Sequence, residues 1–410
     1  MTNRERLAPA AFPVLLLVAV LLFASNLRGP VVSVSAVTGP ISGDLALSGA
    51  ALGLLTSLPV LCFGLLAPAA SAAIGRLGLD RSVLLALALL AAGLGVRSSG
   101  GYVTALIGTA LIGAGITVGN VATPVIIGRD FRGQVAMVTG AYTAIMNVGS
   151  MAALILSPGL TATFGWRIAL AAWLVPAVLA AVLWTFLLVR RRTRPAAVER
   201  TVRPGPAGEP APPAPPTAPL WRRPLTWLLT LAFAAQAFSY YGLTAWLPKL
   251  LADTRGLSEG SAGLASSLFQ VFAIVGAFGM PVIINRRGPL PGMIALGFFW
   301  LSVPLGLLFA PGLFPLWASF GGIAQGSAFT LVFTVVVVRT STQRENRRLS
   351  SIVQTFGYVL AATGPSVIGG LHDATGGWTV PLLGLTASLA VLITAGVIAC
   401  RGIGPQKARS

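Results

Sequence analysis

Apolar stretches about as long as a bilayer is thick recur along the whole chain, parted by short connections that carry arginine. A membrane-spanning helix needs about 20 mostly apolar residues. Segments of this kind run over 11–37, 48–74, 82–97, 102–128, 134–157, 166–189, 224–248, 258–284, 290–310, 314–338, 350–371 and 378–400, the third being the shortest. Turn signals separate them, among them Gly100-Gly101, Arg287-Gly288-Pro289 and Gly376-Gly377. Composition agrees, since 55% of residues are hydrophobic and 9% charged, where a soluble domain carries about a quarter charged. So few charges cannot clothe the two or three domains that 410 soluble residues would form. The solvent for most of the chain is lipid, and the expected fold class is all-α integral membrane with twelve transmembrane helices.

A formal net charge of +18 would suggest a nucleic-acid partner in a soluble protein. Here the basic residues sit between apolar segments, so no nucleic-acid partner is expected. Loop arginines and lysines instead set the orientation. With the N-terminus inside, the cytoplasmic connections carry 23 of them, and the outer ones only Arg97, Arg167, Lys249 and Arg255. An odd number of spans would scramble this bias. The reading is a multi-pass protein of a bacterial cytoplasmic membrane, with both termini cytoplasmic. Its alanine, glycine and arginine, against the lysines Lys249 and Lys407 alone, suit a GC-rich genome. Ala10 to Ala24 mimics a signal peptide, but the apolar stretch runs past Arg28 without a clear cleavage site and reads as span one. Cys62 and Cys400 offer no disulfide framework. His372, the lone histidine, leaves no multi-histidine metal site, and neither metal nor cofactor is expected.

Residues 190–223 differ from the rest, with many arginines and the run Pro210-Ala211-Pro212-Pro213-Ala214-Pro215-Pro216. Such a composition buries no core and favours extended conformations. It reads as a cytoplasmic linker between a six-helix bundle at 1–189 and another at 224–401, with a tail at 402–410. The halves resemble each other at an offset of 210 residues: Leu47-Ser48 matches Leu257-Ser258, Gly53-Leu54 matches Gly263-Leu264, Ser57-Leu58 matches Ser267-Leu268, Arg76 and Gly78 match Arg286 and Gly288, and Arg129 matches Arg339. Parallel six-span repeats are the architecture in which one half rocks against the other around a midplane site. Gly115-x-x-x-Gly119 and Gly322-x-x-x-Gly326 suit close helix packing. Pro30, Pro59, Pro124, Pro281 and Pro365 permit kinks inside spans.

Arg28 lies near the middle of span one, where a charge is expensive and usually faces a cavity or a partner. Glu5, Asp44, Asp80, Asp130, Glu199, Glu209, Asp253, Glu259, Glu345 and Asp373 all fall in loops or at helix ends. With no carboxylate at its depth, the natural counter-ion of Arg28 is an anionic ligand, which its planar fork suits. The bland alternative is that Arg28 binds carbonyls freed by Pro30, or a polar neighbour. No buried carboxylate is available for a proton relay, so uniport or anion exchange gains weight, unless the solute, His372 or loop-end acids carry the proton. Other polar groups at membrane depth are Asn26, Thr117, Asn120, Tyr142, the i,i+4 pair Gln236 and Tyr240, and the pair Gln354 and Tyr358. Amides and phenols donate hydrogen bonds to an anion without adding charge, although many such residues only join helices. Met146 and Phe269 read as packing.

These residues carry a family resemblance. The chain resembles the major facilitator superfamily, and within it the branch of cyanate permeases and 2-nitroimidazole transporters. The marks are Asn26-Leu27-Arg28, Leu54-Leu55-Thr56-Ser57-Leu58-Pro59-Val60, Gly113-Ala114-Gly115-Ile116 with Asn120 and Pro124, Gln236 with Tyr240-Tyr241 and Ala245-Trp246-Leu247-Pro248, and Gln354, Gly357 and Pro365. The resemblance implies a major-facilitator fold, alternating access and small or weakly polar substrates. It maps the family's central arginine onto Arg28 and its span-seven glutamine and tyrosine onto Gln236 and Tyr240. One loop departs from the pattern. Where members often show Gly-x-x-x-Asp-Arg-x-Gly, this chain has Gly75-Arg76-Leu77-Gly78-Leu79-Asp80-Arg81-Ser82, so that loop's gating contacts are not carried over.

The leading functional expectation is a monomeric transporter, not an enzyme, that moves a small anion held by Arg28, with Asn26, Asn120, Tyr142, Gln236, Tyr240, Gln354 and Tyr358 around it. The competing one is efflux of neutral or anionic aromatic compounds, with Tyr142, Tyr240 and Tyr358 as stacking faces. An embedded enzyme is disfavoured because there is no His/Asp/Glu cluster and no nucleophile with a base in reach.

Overall fold

The computed structural model describes residues 8–131, 135–193, 220–340 and 343–403, and these are helical almost throughout. Span one is broken into α1 (Ala8–Ser25) and α2 (Gly29–Ser35). A short helix, α3 (Thr38–Leu45), turns through 120° into α4 (Gly49–Leu65), which continues as α5 (Ala67–Leu77) to complete span two. Spans three to five are α6 (Leu79–Ser98), α7 (Tyr102–Asp130) and α8 (Val135–Phe164), and span six is α9 (Trp166–Ala171) with α10 (Leu174–Thr193). In the second half, spans seven to ten are α11 (Pro224–Arg255), α12 (Glu259–Arg287), α13 (Pro289–Phe309) and α14 (Phe314–Val338). Span eleven is α15 (Gln343–Ala361) with α16 (Gly364–Thr375), and span twelve is α17 (Thr379–Cys400).

Among the described residues, ten spans are long and apolar enough to cross a membrane by themselves, or eleven if the bent pair α3–α4 counts as one. The seventh falls short for a physical reason. α11 carries Gln236, Tyr240 and Tyr241 in its middle and Lys249, Asp253 and Arg255 near its end, and Gln236 and Tyr240 are buried against other protein. Its polar groups meet protein and a cavity instead of lipid. The linker expected at 190–223 lies mostly outside the described residues, but α10 runs on to Thr193 and a 3₁₀ turn at Leu220–Arg222 leads into α11.

The 210-residue repeat is visible as repeated local geometry. Ser48 and Ser258 each cap a helix, their hydroxyls accepting the backbone N–H of Ala51 (3.2 Å) and of Ser261 (3.3 Å). Gly78 and Gly288 take φ of 80° and 86° in the tight turns into spans three and nine, a conformation that costs glycine little. The repeat is not complete in its charges. Arg129 pairs with Asp80 (3.2 Å) and Asp130 (2.8 Å), whereas its counterpart Arg339 donates to the backbone oxygen of Ala399 (3.1 Å). The Asp80–Arg129 pair lies wholly within the first half, despite the altered loop spacing.

Contacts between the halves run through span one against seven, two against eleven, and five against eight. At the end of the bundle distal to the chain termini these contacts are backbone-close. The Gly49 N–H donates to an Asp373 carboxylate oxygen at 2.5 Å, and Ser57 Oγ lies 3.3 Å from Ser366 Oγ. A Cβ at Gly53 would stand 2.5 Å from the Pro365 carbonyl oxygen, and one at the repeat-related Gly263 would strike the Leu154 carbonyl. The distal end is therefore sealed.

Candidate functional site

Behind that seal lies a cavity of about 580 Å³, lined from spans one, two, four and five of one half and seven, eight, ten and eleven of the other. Its lining runs from the level of Arg28 toward the end that holds the chain termini, through Ala67, Thr139, Gly140, Ala277, Phe278 and Thr330. Arg28 is the one charged residue among the described residues that line it.

The break in span one sets the position of Arg28. The Asn26 and Leu27 N–H groups bond only three residues back, to Phe23 and Ala24, which tightens the end of α1. Arg28 then leaves helical geometry with φ −130° and ψ −37°, and α2 starts with Pro30 in its first turn, where a missing N–H costs nothing. The Arg28 carbonyl accepts from both Val31 and Val32 at 3.1 Å, which ties the arginine to α2. Its guanidinium donates from Nη1 to Asn147 Oδ1 at 2.9 Å and lies 5.7 Å from the centre of the Tyr240 ring. Among the described residues it makes no ion pair, and its remaining donors are left to face the cavity.

The surrounding wall is aromatic and amide-rich. Tyr240 meets Tyr241 edge-on, with ring centres 4.8 Å apart, and stacks on Phe269 at 6.1 Å. Tyr358 packs its edge against Phe233 (5.1 Å) and Phe63 (5.8 Å), so that rings from both halves meet across the cavity. The Tyr142 hydroxyl donates to Asn120 Oδ1 at 3.4 Å. Gln236 and Gln354 also line the cavity.

Of the eight residues singled out from sequence, the structure brings together Arg28, Asn120, Tyr142, Gln236, Tyr240, Gln354 and Tyr358 around this cavity. Asn26 is not among the lining residues. It is fully buried, and its amide folds back to donate to the Leu22 carbonyl at 2.8 Å. Two residues passed over in the sequence do line the cavity, Asn147 and Gln325. Their signal was present, since each is an amide inside an apolar span. Met146 also contributes to the wall, whereas Phe269 is buried behind Tyr240. Arg97 corrects the reading more sharply. Counted as an outer-loop charge, it is instead 1% exposed and donates from Nη1 to the Pro30 carbonyl at 2.6 Å.

Comparison with known proteins accords with this geometry. Residues 14–290 match the model of the Major Facilitator Superfamily. The chain belongs to this superfamily. It is 33% identical to the 2-nitroimidazole transporter of Escherichia coli (strain K12), over 95% of this chain and 96% of that one. It is also 27% identical to the cyanate transport protein CynX of the same organism, over 88% and 91% of the two chains. Among solved structures, a bacterial homologue of the human lysosomal transporter Spinster superposes with a TM-score of 0.69 at 18% identity, covering 94% of this chain and 95% of the other, which is a likeness of fold. This superfamily member is thus a multi-pass membrane transporter of small molecules, not an enzyme.

Proposed function

We propose that this transporter moves a small anionic solute across the cytoplasmic membrane by alternating access, with Arg28 as the charge partner of the solute. The observation that carries the reading is the state of Arg28: a lone cation on a cavity between the two halves, held by a neutral amide at 2.9 Å, with no acidic residue among the described lining. A buried cation without a counter-ion is costly, and an arriving anion relieves that cost with bidentate hydrogen bonds. The loop arginines orient the termini toward the cytoplasm, which makes the sealed end extracellular and the cavity a cytoplasm-side one. With no carboxylate on the described wall, uniport or exchange suits the site, as does a proton carried by the solute itself.

The size of the cavity favours a second reading. About 580 Å³ is within the range of pockets for organic ligands, about 300–1,000 Å³, and far exceeds a triatomic anion. Phe233, Tyr240, Tyr241 and Tyr358 offer ring faces to an aromatic solute. Efflux of neutral or anionic aromatic compounds, to which the nitroimidazole-transporting relative lends weight, is the alternative.

Both readings are tested with purified protein and its Arg28→Ala variant, by thermal stability against small anions, amino acids, cyanate and nitroaromatics. A ligand of the folded state at a hundred times its Kd adds about 2.7 kcal/mol. Stabilisation by anions that the folded variant has lost supports the anion reading and names the class. Response to neutral aromatics alone, or an unchanged response in the variant, gives the site to the second reading.

A further inference from the structure

We infer that Arg97 is a positioning residue, which holds the broken first span in the register that points Arg28 at the cavity. Its functional consequence rests on Arg28 being the charge partner of the solute. The observations behind it are independent of that reading.

Arg97 sits in the last turn of α6, where an arginine ordinarily extends its charge to water. It does not do so here because of the helix beside it. Gly108 of α7 brings its own Cα against the Arg97 main chain, so closely that a Cβ there would overlap the Arg97 nitrogen. Gly93, one turn earlier on α6, meets the Gly108 carbonyl in the same way. The side chain, 1% exposed, reaches α2. There Nη1 donates to the Pro30 carbonyl at 2.6 Å, while Nε and Nη2 find no partner among the described residues. A buried cation with a single hydrogen bond is an expense that packing alone does not require.

The carbonyl it grips is the informative part. Pro30 lies in the first turn of a seven-residue helix, and Arg28 is the residue that precedes that helix and accepts its first N–H bonds, from Val31 and Val32. A helix this short, detached from α1 at the break, has little cooperativity of its own. Three contacts hold its first turn: Arg97 and the Ser33 hydroxyl (3.0 Å), both on the Pro30 carbonyl, and the Trp173 ring, which fills the space where a side chain at Gly29 would go. Val31, Val32 and Ser35 of α2 line the cavity, and α2 also packs on α11 of the other half. Arg97 therefore grips the segment that carries Arg28 from the side away from the solute.

The test is hydrogen exchange on the full-length protein in detergent, comparing wild type with Arg97→Gln, Arg97→Lys and Ser33→Ala. In Arg97→Gln the amides of 29–35 are expected to exchange at least tenfold faster, with the middle of α7 and α8 unchanged. Lysine, which keeps a charged donor, recovers most of the protection, and Ser33→Ala, which removes only a neutral donor, has a smaller effect. A purely structural role would instead loosen the α6–α7 contact or the whole bundle evenly. Unchanged exchange at 29–35 in Arg97→Gln, or acceleration spread over all six spans, overturns the inference. If the glutamine variant does not fold, the lysine variant decides by the same comparison. Failure of the anion reading shows separately, as an Arg28→Ala protein that answers anions like wild type.

Discussion

Gly53→Ala is the substitution that bears most directly on how the two halves exchange conformations. In the sealed state a Cβ at Gly53 meets the Pro365 carbonyl oxygen at 2.5 Å and its carbon at 2.6 Å, where ordinary contact begins at 3.4 Å. Both opposing atoms are main chain, so no rotamer change relieves the clash, and spans two and eleven have to part by nearly 1 Å. Overpacking of this kind costs about 1–3 kcal/mol. The cost falls on the sealed state alone, because the contact joins the two halves and is absent once they rock apart. A difference of about 1–3 kcal/mol shifts the balance about 5- to 150-fold toward the state open at the distal end. The assay uses Ser57→Cys, buried in the sealed interface opposite Ser366, with Cys62 and Cys400 replaced by serine. Alkylation by an impermeant thiol reagent is expected to quicken by that factor in Gly53→Ala. Gly279→Ala, a helical position with nothing within 4 Å, serves as the control and leaves the rate as it was. An unchanged rate in a folded Gly53→Ala protein would refute the argument that this contact holds the seal.

Further expectations concern the cavity and its surroundings. Asn147→Asp sets a carboxylate at hydrogen-bond distance from Arg28, where the wild type has Oδ1 at 2.9 Å; it is expected to raise the basal melting temperature and abolish stabilisation by anions, and retention of the anion response would count against Arg28 as charge partner. Ser258→Ala removes the hydroxyl that caps span eight and is expected to cost about 1 kcal/mol, read as a lowered melting temperature, with Ser48→Ala behaving alike. Asp44 accepts from Arg167 (2.6 Å) and Trp166 (3.2 Å), and the Arg167 hydrogen bond first, then that of Trp166, holds its carboxyl below the ordinary value. A depressed folded value means that the contribution to stability is present above the unfolded pKa of about 3.9 and lost as pH falls through the folded one. Asp44→Asn is therefore expected to be less stable than wild type at neutral pH and to converge with it in strong acid, and a gap that persists in acid contradicts the pairing.

Much of the architecture was legible because lipid makes it so. A span must be apolar and long, and its connections betray their side by arginine, so the count of spans and the likeness of the halves can be read from the chain alone. Arg28 was legible for the same reason, since a charge in the middle of an apolar run is conspicuous. Its neighbours were less so. Asn26 and Asn147 are the same residue type at comparable depth, yet Asn26 folds back on its own helix while Asn147 holds Arg28. Which face an amide presents depends on where a helix breaks, and the tightened turn after Phe23 rotates the residues beyond it in a way that periodicity does not record.

The sequence by itself determined the list of helices, their 210-residue repeat, and the presence of one charge in mid-membrane without an acid at its depth. Solvent exclusion and local capping act on each segment separately, so they can be read segment by segment. Only the tertiary structure decided how those segments meet. Gly108 turns Arg97 inward onto Pro30, Asn147 comes under Arg28 from span five, and main chain meets main chain at Gly53 and Pro365 to seal the end distal to the termini. Each of these depends on the distance between helices far apart in the chain, which the interlocking of side chains across their surfaces sets and no single segment encodes.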